Sequence, residues 1–304
     1  MVPDFSLCRF QTDEVPPHLG LISEEKLYDL TASGHRQYAN MCAWLKSATG
    51  NMDQAFSTLE QTANTLGAIS TADDLLREDS EIRLLAPLDE QEVWACGVTY
   101  EMSREARMRE SGEPTIYGRV YDAPRPEIFF KSTSHRVVGP QEAVGIRGDS
   151  HWDVPEAEMV LVVTPQMEIV GYTVGNDMSS REIEGENPLY LPQAKIHDRC
   201  CALGPFVRLA KDFDPLDQVV ECTIERDGEQ IFRGETHTSS IHRSLDDLVS
   251  YLGRCNSFPR GVFVMTGTGI VPLDTFSLQQ GDIIEITFEG LGTLRNPVIE
   301  IPIN

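Results

Sequence analysis

Trp152–Asp177 reads WDVPEAEMVLVVTPQMEIVGYTVGND, and how this stretch is read decides the fold. Side chains alternate along a strand, so Glu156 and Glu158, two residues apart, project from one face where the backbone is extended. The run from Glu158 to Val163 is rich in Val and Leu, and EIVGYTV after it is a second strand-like run. The four residues Thr164–Met167 between them suit a short hairpin connection. With that turn Glu156 is expected opposite Gly175, with Asp177 two residues further along, roughly 7 Å at strand spacing. Three carboxylates then converge at the open end of one hairpin. Unneutralised, they would repel one another, and a hard divalent cation is the obvious remedy. All-oxygen ligands favour Mg²⁺, with Mn²⁺ or Ca²⁺ as alternatives, over zinc or copper. Taken alone, an E-x-E pair is more often a solvated strand face in an acidic protein.

The chain of 304 residues is long enough to bury a full core, as one large domain or as a large and a small one. Hydrophobic residues at 40% beside 24% charged residues place it among ordinary soluble proteins. No stretch approaches 18 consecutive apolar residues, which argues against a membrane span. The N-terminus MVPDFSLCRFQTDEVPP lacks the basic start and apolar core of a secretion signal. Seven cysteines with no C-x-x-C spacing argue against a zinc finger or a disulfide framework, and a cytoplasmic setting with reduced thiols follows. The formal net charge of −23 excludes nucleic acid and anionic membranes as main partners. The same field opposes an anionic substrate, unless a bound cation and a local basic group in the cleft overcome it.

Outside the hairpin, residues 1–88 read as a small N-terminal α+β domain and 89–304 as the main domain. FSLCRF and HLGLISEEKLYDL are strand candidates, and YANMCAWLKSATGNMDQAFSTLEQTANTL is a helical stretch. EMSREARMRE has the composition of a short helix, whereas GEPTIYGRVYDAPRPE, rich in Gly and Pro, reads as a loop. Short β-like runs dominate from Ile128 onward, and ERDGEQIF is a hairpin with Asp227-Gly228 at its turn. SSIHRSLDDLVSYLGR is a late helix. Runs of strands with few helices indicate α+β rather than a doubly wound α/β fold.

Four separated motifs, PEIFFKSTSHRVVGP, DVPEAEMVLVV, GYTVGNDMSSREIEGENPLYLPQAK and VMTGTGIVP, occur in the order found in the fumarylacetoacetate hydrolase superfamily, which the chain resembles from about Leu85 onward. The resemblance implies mixed β-sheets in layers (a β-roll) and a homodimer or homotetramer. It maps the superfamily's E-x-E…D metal triad onto Glu156, Glu158 and Asp177, the residues the hairpin singles out. SSREIEGENPLYLPQAK is most similar to the branch that dehydrates 2-keto-3-deoxy-D-arabinonate and related pentonates. Hydrolytic members carry a general-base His in the form G-x-N-Y-x-x-H; here Gly97–Ser103 reads GVTYEMS, with Ser103 at the His position. Hydrolysis of a C–C bond needs a base that activates water, so this departure favours lyase chemistry on the same platform.

The resemblance implies a small-molecule 2-keto acid substrate that chelates the ion through its carboxylate and ketone oxygens. Loss of a C3 proton then gives a stabilised enolate, the C4 hydroxyl leaves, and 2-oxoglutarate semialdehyde results. Lys195 in PQAK and Glu127 in PEIFFK are the acid/base candidates, with the lysine pKa expected to be lowered near a cation. Thr268 matches a family threonine that hydrogen-bonds substrate. Arg104 and Arg107, on the helix after Tyr100, are candidates for the substrate carboxylate, though helical arginines are more often simply solvated. Lys131 either neutralises the carboxylates or contacts substrate, and a structural role is the default for His135, His151 and His197. The alternatives are a hydrolase of acylpyruvates or fumarylacetoacetate-like diketo acids on the same metal, and a non-catalytic protein that keeps the fold.

Overall fold

The computed structural model describes residues 2–77, 79–110 and 114–303. The Ala157–Val163 strand and the Ile169–Asp177 strand do form an antiparallel hairpin, and both lie near the middle of one large sheet. Outward on one side follow Val262–Met265, Glu92–Gly97 and, at the edge, Glu127–Ser132. On the other side follow Cys201–Leu209, Ser6–Gln11, His18–Ser23 and Lys26–Asp29. A second sheet runs Glu229–His237, Val219–Arg226, Ile283–Phe288, Gly292–Ile301 and Val144–Arg147. Each sheet is mixed, since Val262–Met265 runs parallel to Glu92–Gly97 and Gly292–Ile301 runs parallel to Val144–Arg147.

The central strand is apolar on both faces because it is covered on both. Met159, Leu161 and Val163 pack with Ile224, Ile286 and Phe288 of the second sheet and with the helix Leu245–Leu252. Val160 and Val162 pack on the other face with Trp44, Leu45, Phe56 and Leu59. Those four residues come from two helices, Met41–Ala48 and Met52–Ala63. The sequence suggests one helical stretch there; Gly50, at φ +74°, divides it. The Ser6–Gln11 strand, on the N-terminal side of residue 88, is hydrogen-bonded to Cys201–Leu209 on the other side.

The hairpin register differs from the expected one by two residues. Glu158, not Glu156, lies opposite Gly175, and Asp177 N donates to Glu156 O at 3.0 Å. Two local features supply the shift. The connection has three residues, Pro165–Met167, closed by a Thr164 N to Glu168 O bond, with Met167 at φ +63°. Val162 pairs with Gly171 while Val163 pairs with Ile169, so Val170 is left as a bulge. The consequence is functional: Asp177 stands beside Glu156 rather than two residues beyond it.

The expected loop Gly112–Glu127 is also corrected, since Pro114–Asp122 is a helix. Proline at the first helical position has no amide to leave unsatisfied and is pre-set in φ, so its presence begins this helix rather than breaking one. Gly112 and Glu113 lie outside the described residues. EMSREARMRE is the helix Glu101–Glu110, as read.

Candidate active site

At the open end of the hairpin, Glu156, Glu158 and Asp177 are all buried, and one carboxylate oxygen from each lies within 4.8 Å of the others. Two lysines reach this cluster from different elements. Lys195 ends the short helix Leu191–Lys195 and places Nζ 2.7 Å from Glu156 Oε2 and 3.1 Å from Asp177 Oδ2, donating also to Ser179 Oγ at 2.6 Å. Lys131, on the edge strand Glu127–Ser132, has its Nζ 2.5 Å from Asp177 Oδ1 and donates to the carbonyls of Met178 and Lys195. Glu158 Oε2 accepts from Gly267 N at 2.6 Å. Gly267 has φ +91°, and a side chain there would overlap Thr99 Oγ1, so the close approach of this backbone amide requires glycine.

Behind the cluster stand two buried arginines. Arg107 Nη2 and Arg181 Nη1 each lie 2.7 Å from Glu156 Oε1. Arg107 also pairs with Glu110 at 2.7 Å and Glu184 at 3.1 Å, and Arg181 pairs with Glu184 at 3.1 Å. A small cavity opens onto this network, bordered by Ser103, Arg107, Glu127, Glu156, Glu184 and Lys195. Glu127 begins its strand opposite Gly97, where any Cβ would overlap its carboxylate. Gly97 is therefore what lets Glu127 reach the cavity wall.

The charges respond to burial and to one another. Burial works against an ionised Asp177, but Lys131 and Lys195 hold its carboxyl below the ordinary range. Burial, with the like charges of Asp177 and Glu156, pushes the Glu158 carboxyl well above it. Burial, with Glu184 adding to it, pushes Glu127 up to about 7. The Lys195 pKa moves opposite to expectation. Burial alone would lower it, yet Asp177, Glu156 and Glu184 together hold the ammonium above its usual range. The expectation weighed desolvation and a cation, and missed that the lysine contacts two of the carboxylates directly.

The three carboxylates fit a hard divalent cation. Their donors are all oxygen, they lie within one ion's reach of each other, and among the described residues no ion pair is made to Glu158. That carboxyl is the one whose charge the protein leaves least compensated.

The other sequence candidates divide. Thr268 lines the cavity, with Oγ1 donating to Ile270 O and accepting from Ile270 N, each at 3.2 Å. Ser103 also lines it, with its hydroxyl donating to Tyr100 O at 2.8 Å. Arg104 does not border the cavity: it pairs with Glu101 at 3.1 Å and stacks over Tyr121 at 4.9 Å. Lys131 is walled off behind Asp177 and neutralises rather than borders the cavity. Sequence reasoning assigned no role to Glu110, Arg181 and Glu184. The available signal was the i,i+3 spacing of Arg107–Glu110 and Arg181–Glu184, which puts opposite charges on one helix face.

The family model described as fumarylacetoacetate hydrolase, C-terminal, matches residues 93–299, and the chain belongs to this family. It is 49% identical over 255 residues to a probable 2-keto-3-deoxyxylonate dehydratase of Haloferax volcanii, covering 83% of this chain and 88% of the relative. It is 43% identical over 224 residues to the 2-dehydro-3-deoxy-D-arabinonate dehydratase of Saccharolobus solfataricus, covering 72% and 75%. A solved structure of 2-keto-3-deoxy-D-arabinonate dehydratase complexed with magnesium and 2,5-dioxopentanoate superposes with a TM-score of 0.82, at 32% identity, over 98% of this chain and all of that one.

Proposed function

We propose that the protein is a Mg²⁺-dependent dehydratase of a 2-keto-3-deoxypentonate, acting in the cytoplasm as a homodimer or homotetramer. The observation that carries this reading is the buried triad of Glu156, Glu158 and Asp177, whose Glu156 borders one cavity together with Lys195 and Glu127. The names of the two dehydratase relatives and the magnesium-bound neighbour agree with it. Among the described residues no helix is long and apolar enough to cross a membrane, and all seven cysteines are free.

A divalent ion held by the triad would supply Lewis-acid polarisation of the 2-keto group, which acidifies the hydrogens at C3. Glu127 is the group suited to accept one of these protons, because its elevated pKa makes it a stronger base than an ordinary carboxylate and still leaves it partly ionised near neutrality. The protonated Glu127 then delivers its proton to the departing C4 hydroxyl, so water leaves and a C3–C4 double bond forms. Proton transfer from C5 to C3 converts this enone to the enol of the semialdehyde, and loss of the enol O–H proton with protonation at C4 then gives the aldehyde. Lys195, kept protonated by Glu156 and Asp177, contributes a fixed positive charge beside the oxygens that gain negative charge. Arg107 and Arg181 orient Glu156. Ser103 stands where hydrolytic relatives have a histidine, and its hydroxyl is bonded to backbone, so no base is positioned there to activate water.

The test is incubation of purified protein with a 2-keto-3-deoxypentonate and with an acylpyruvate, each with and without EDTA. Aldehyde formation, followed through a coupled aldehyde dehydrogenase, is expected for the first substrate only and should stop with chelator. Cleavage of the acylpyruvate with no dehydration would overturn the reading.

A further inference from the structure

The cavity wall carries three carboxyl side chains, Glu127, Glu156 and Glu184, and two cationic ones, Arg107 and Lys195. Both cations are already engaged. Arg107 pairs with Glu110, Glu156 and Glu184, and Lys195 pairs with Glu156 and Asp177. Among the described residues, the wall therefore offers no uncommitted cation to a second carboxylate on a ligand. The remaining donors are weak alternatives, since the hydroxyls of Ser103 and Thr268 are turned to backbone carbonyls.

Glu184 is built into this wall. It lies on the short helix Arg181–Glu186, whose first turn is capped by Ser180, and only 5% of it is exposed. Arg107 Nε holds one of its oxygens at 3.1 Å and Arg181 Nη1 holds the other at 3.1 Å. A carboxylate gripped from both sides is fixed in place and stays an acceptor, so whatever approaches it must donate a hydrogen.

We infer that Glu184 is a specificity-determining residue: together with Glu127, the other wall carboxyl outside the metal triad, it admits 2-keto acids with a neutral hydroxylated tail and rejects those bearing a second carboxylate. The inference deepens the dehydratase reading and rests on it for the placement of the ligand's own carboxylate at the triad. A tail hydroxyl donates to a wall carboxylate, whereas a tail carboxylate brings a like charge into a buried space where every cation is taken. Rejection through repulsion needs no contact that the accepted ligand lacks.

Two five-carbon acids isolate the effect. 2-Oxo-5-hydroxypentanoate and 2-oxoglutarate differ only at C5, a hydroxymethyl group against a carboxylate, and neither has a C4 hydroxyl to lose. Calorimetry on the Mg²⁺-loaded protein should give the hydroxy acid at least about tenfold tighter binding. Glu184→Gln should bring the two affinities within about threefold, chiefly by strengthening 2-oxoglutarate, because Arg107 on the cavity wall then carries charge that a second carboxylate can use. Glu184→Asp, which keeps the charge, should retain the preference. Equal affinities in the unaltered protein would overturn the inference, and that arm needs no variant to fold. An unchanged ratio in a folded Glu184→Gln protein would overturn it as well. Failure to dehydrate a 2-keto-3-deoxypentonate, with the discrimination intact, would count against the dehydratase reading and leave this one standing.

Discussion

Lys195 shows how far a single residue's role depends on what it touches. Its presence at the site followed from the PQAK motif, but its electrostatics follow from Glu156 and Asp177, 2.7 and 3.1 Å away. Lys195→Ala is expected to lower kcat by about 10²- to 10⁴-fold while changing KM much less, as stopped-flow or steady-state kinetics would show. Near-normal turnover would remove it from the mechanism. Glu127 makes a second prediction at this scale. Burial raises its pKa to about 7, and as the base it must be deprotonated. Activity should therefore fall as pH drops, and the acid limb of kcat/KM should have its midpoint at or below about 7, since a nearby bound cation can only lower it. Activity that rises as pH falls from 8 to 5 would exclude Glu127 as the base.

Among the elements, hairpins were the most legible. ERDGEQIF forms the strands Val219–Arg226 and Glu229–His237 around Asp227 and Gly228, both with positive φ. Nothing lies within 4 Å of a Cβ added at Gly228, so Gly228→Ala tests backbone conformation alone. It should cost about 1 kcal/mol, read as a lower urea midpoint at unchanged m-value. The Trp152–Asp177 hairpin was legible in existence but not in register, because its extra residue at Val170 leaves no mark in a run of apolar side chains. Glycine in a loop-like composition concealed the Pro114–Asp122 helix for a related reason: composition averages over positions, whereas a proline's meaning depends on whether it starts a helix or interrupts one.

For the molecule as a whole, the carboxylate cluster links metal to stability. An ion held by the folded triad and not by the unfolded chain stabilises the fold, so Mg²⁺ at 100 times Kd should add about 2.7 kcal/mol and raise Tm. Glu158→Ala should abolish that rise, and a Tm that climbs equally in the variant would disqualify the site. The net charge of −23 acts on the same scale. Screening of self-repulsion should make stability increase from low to molar KCl, which thermal melts across a salt series would check. Independence of KCl would show that the acidic groups are locally compensated.

By itself the sequence determined the α+β class and the hairpin, because both rest on residue type at short spacing, and with the family resemblance it singled out Glu156, Glu158, Asp177, Lys195 and Glu127 as candidates, which the structure brings together. Only the tertiary structure decided which of Arg104 and Arg107 faces the cavity and brought Arg181 and Glu184 against Glu156. It also set Glu156 and Asp177 directly against the Lys195 ammonium. Those outcomes depend on distances between segments far apart in the chain, and the energy of a buried charge is set by the partners within a few ångströms of it, not by its neighbours in sequence.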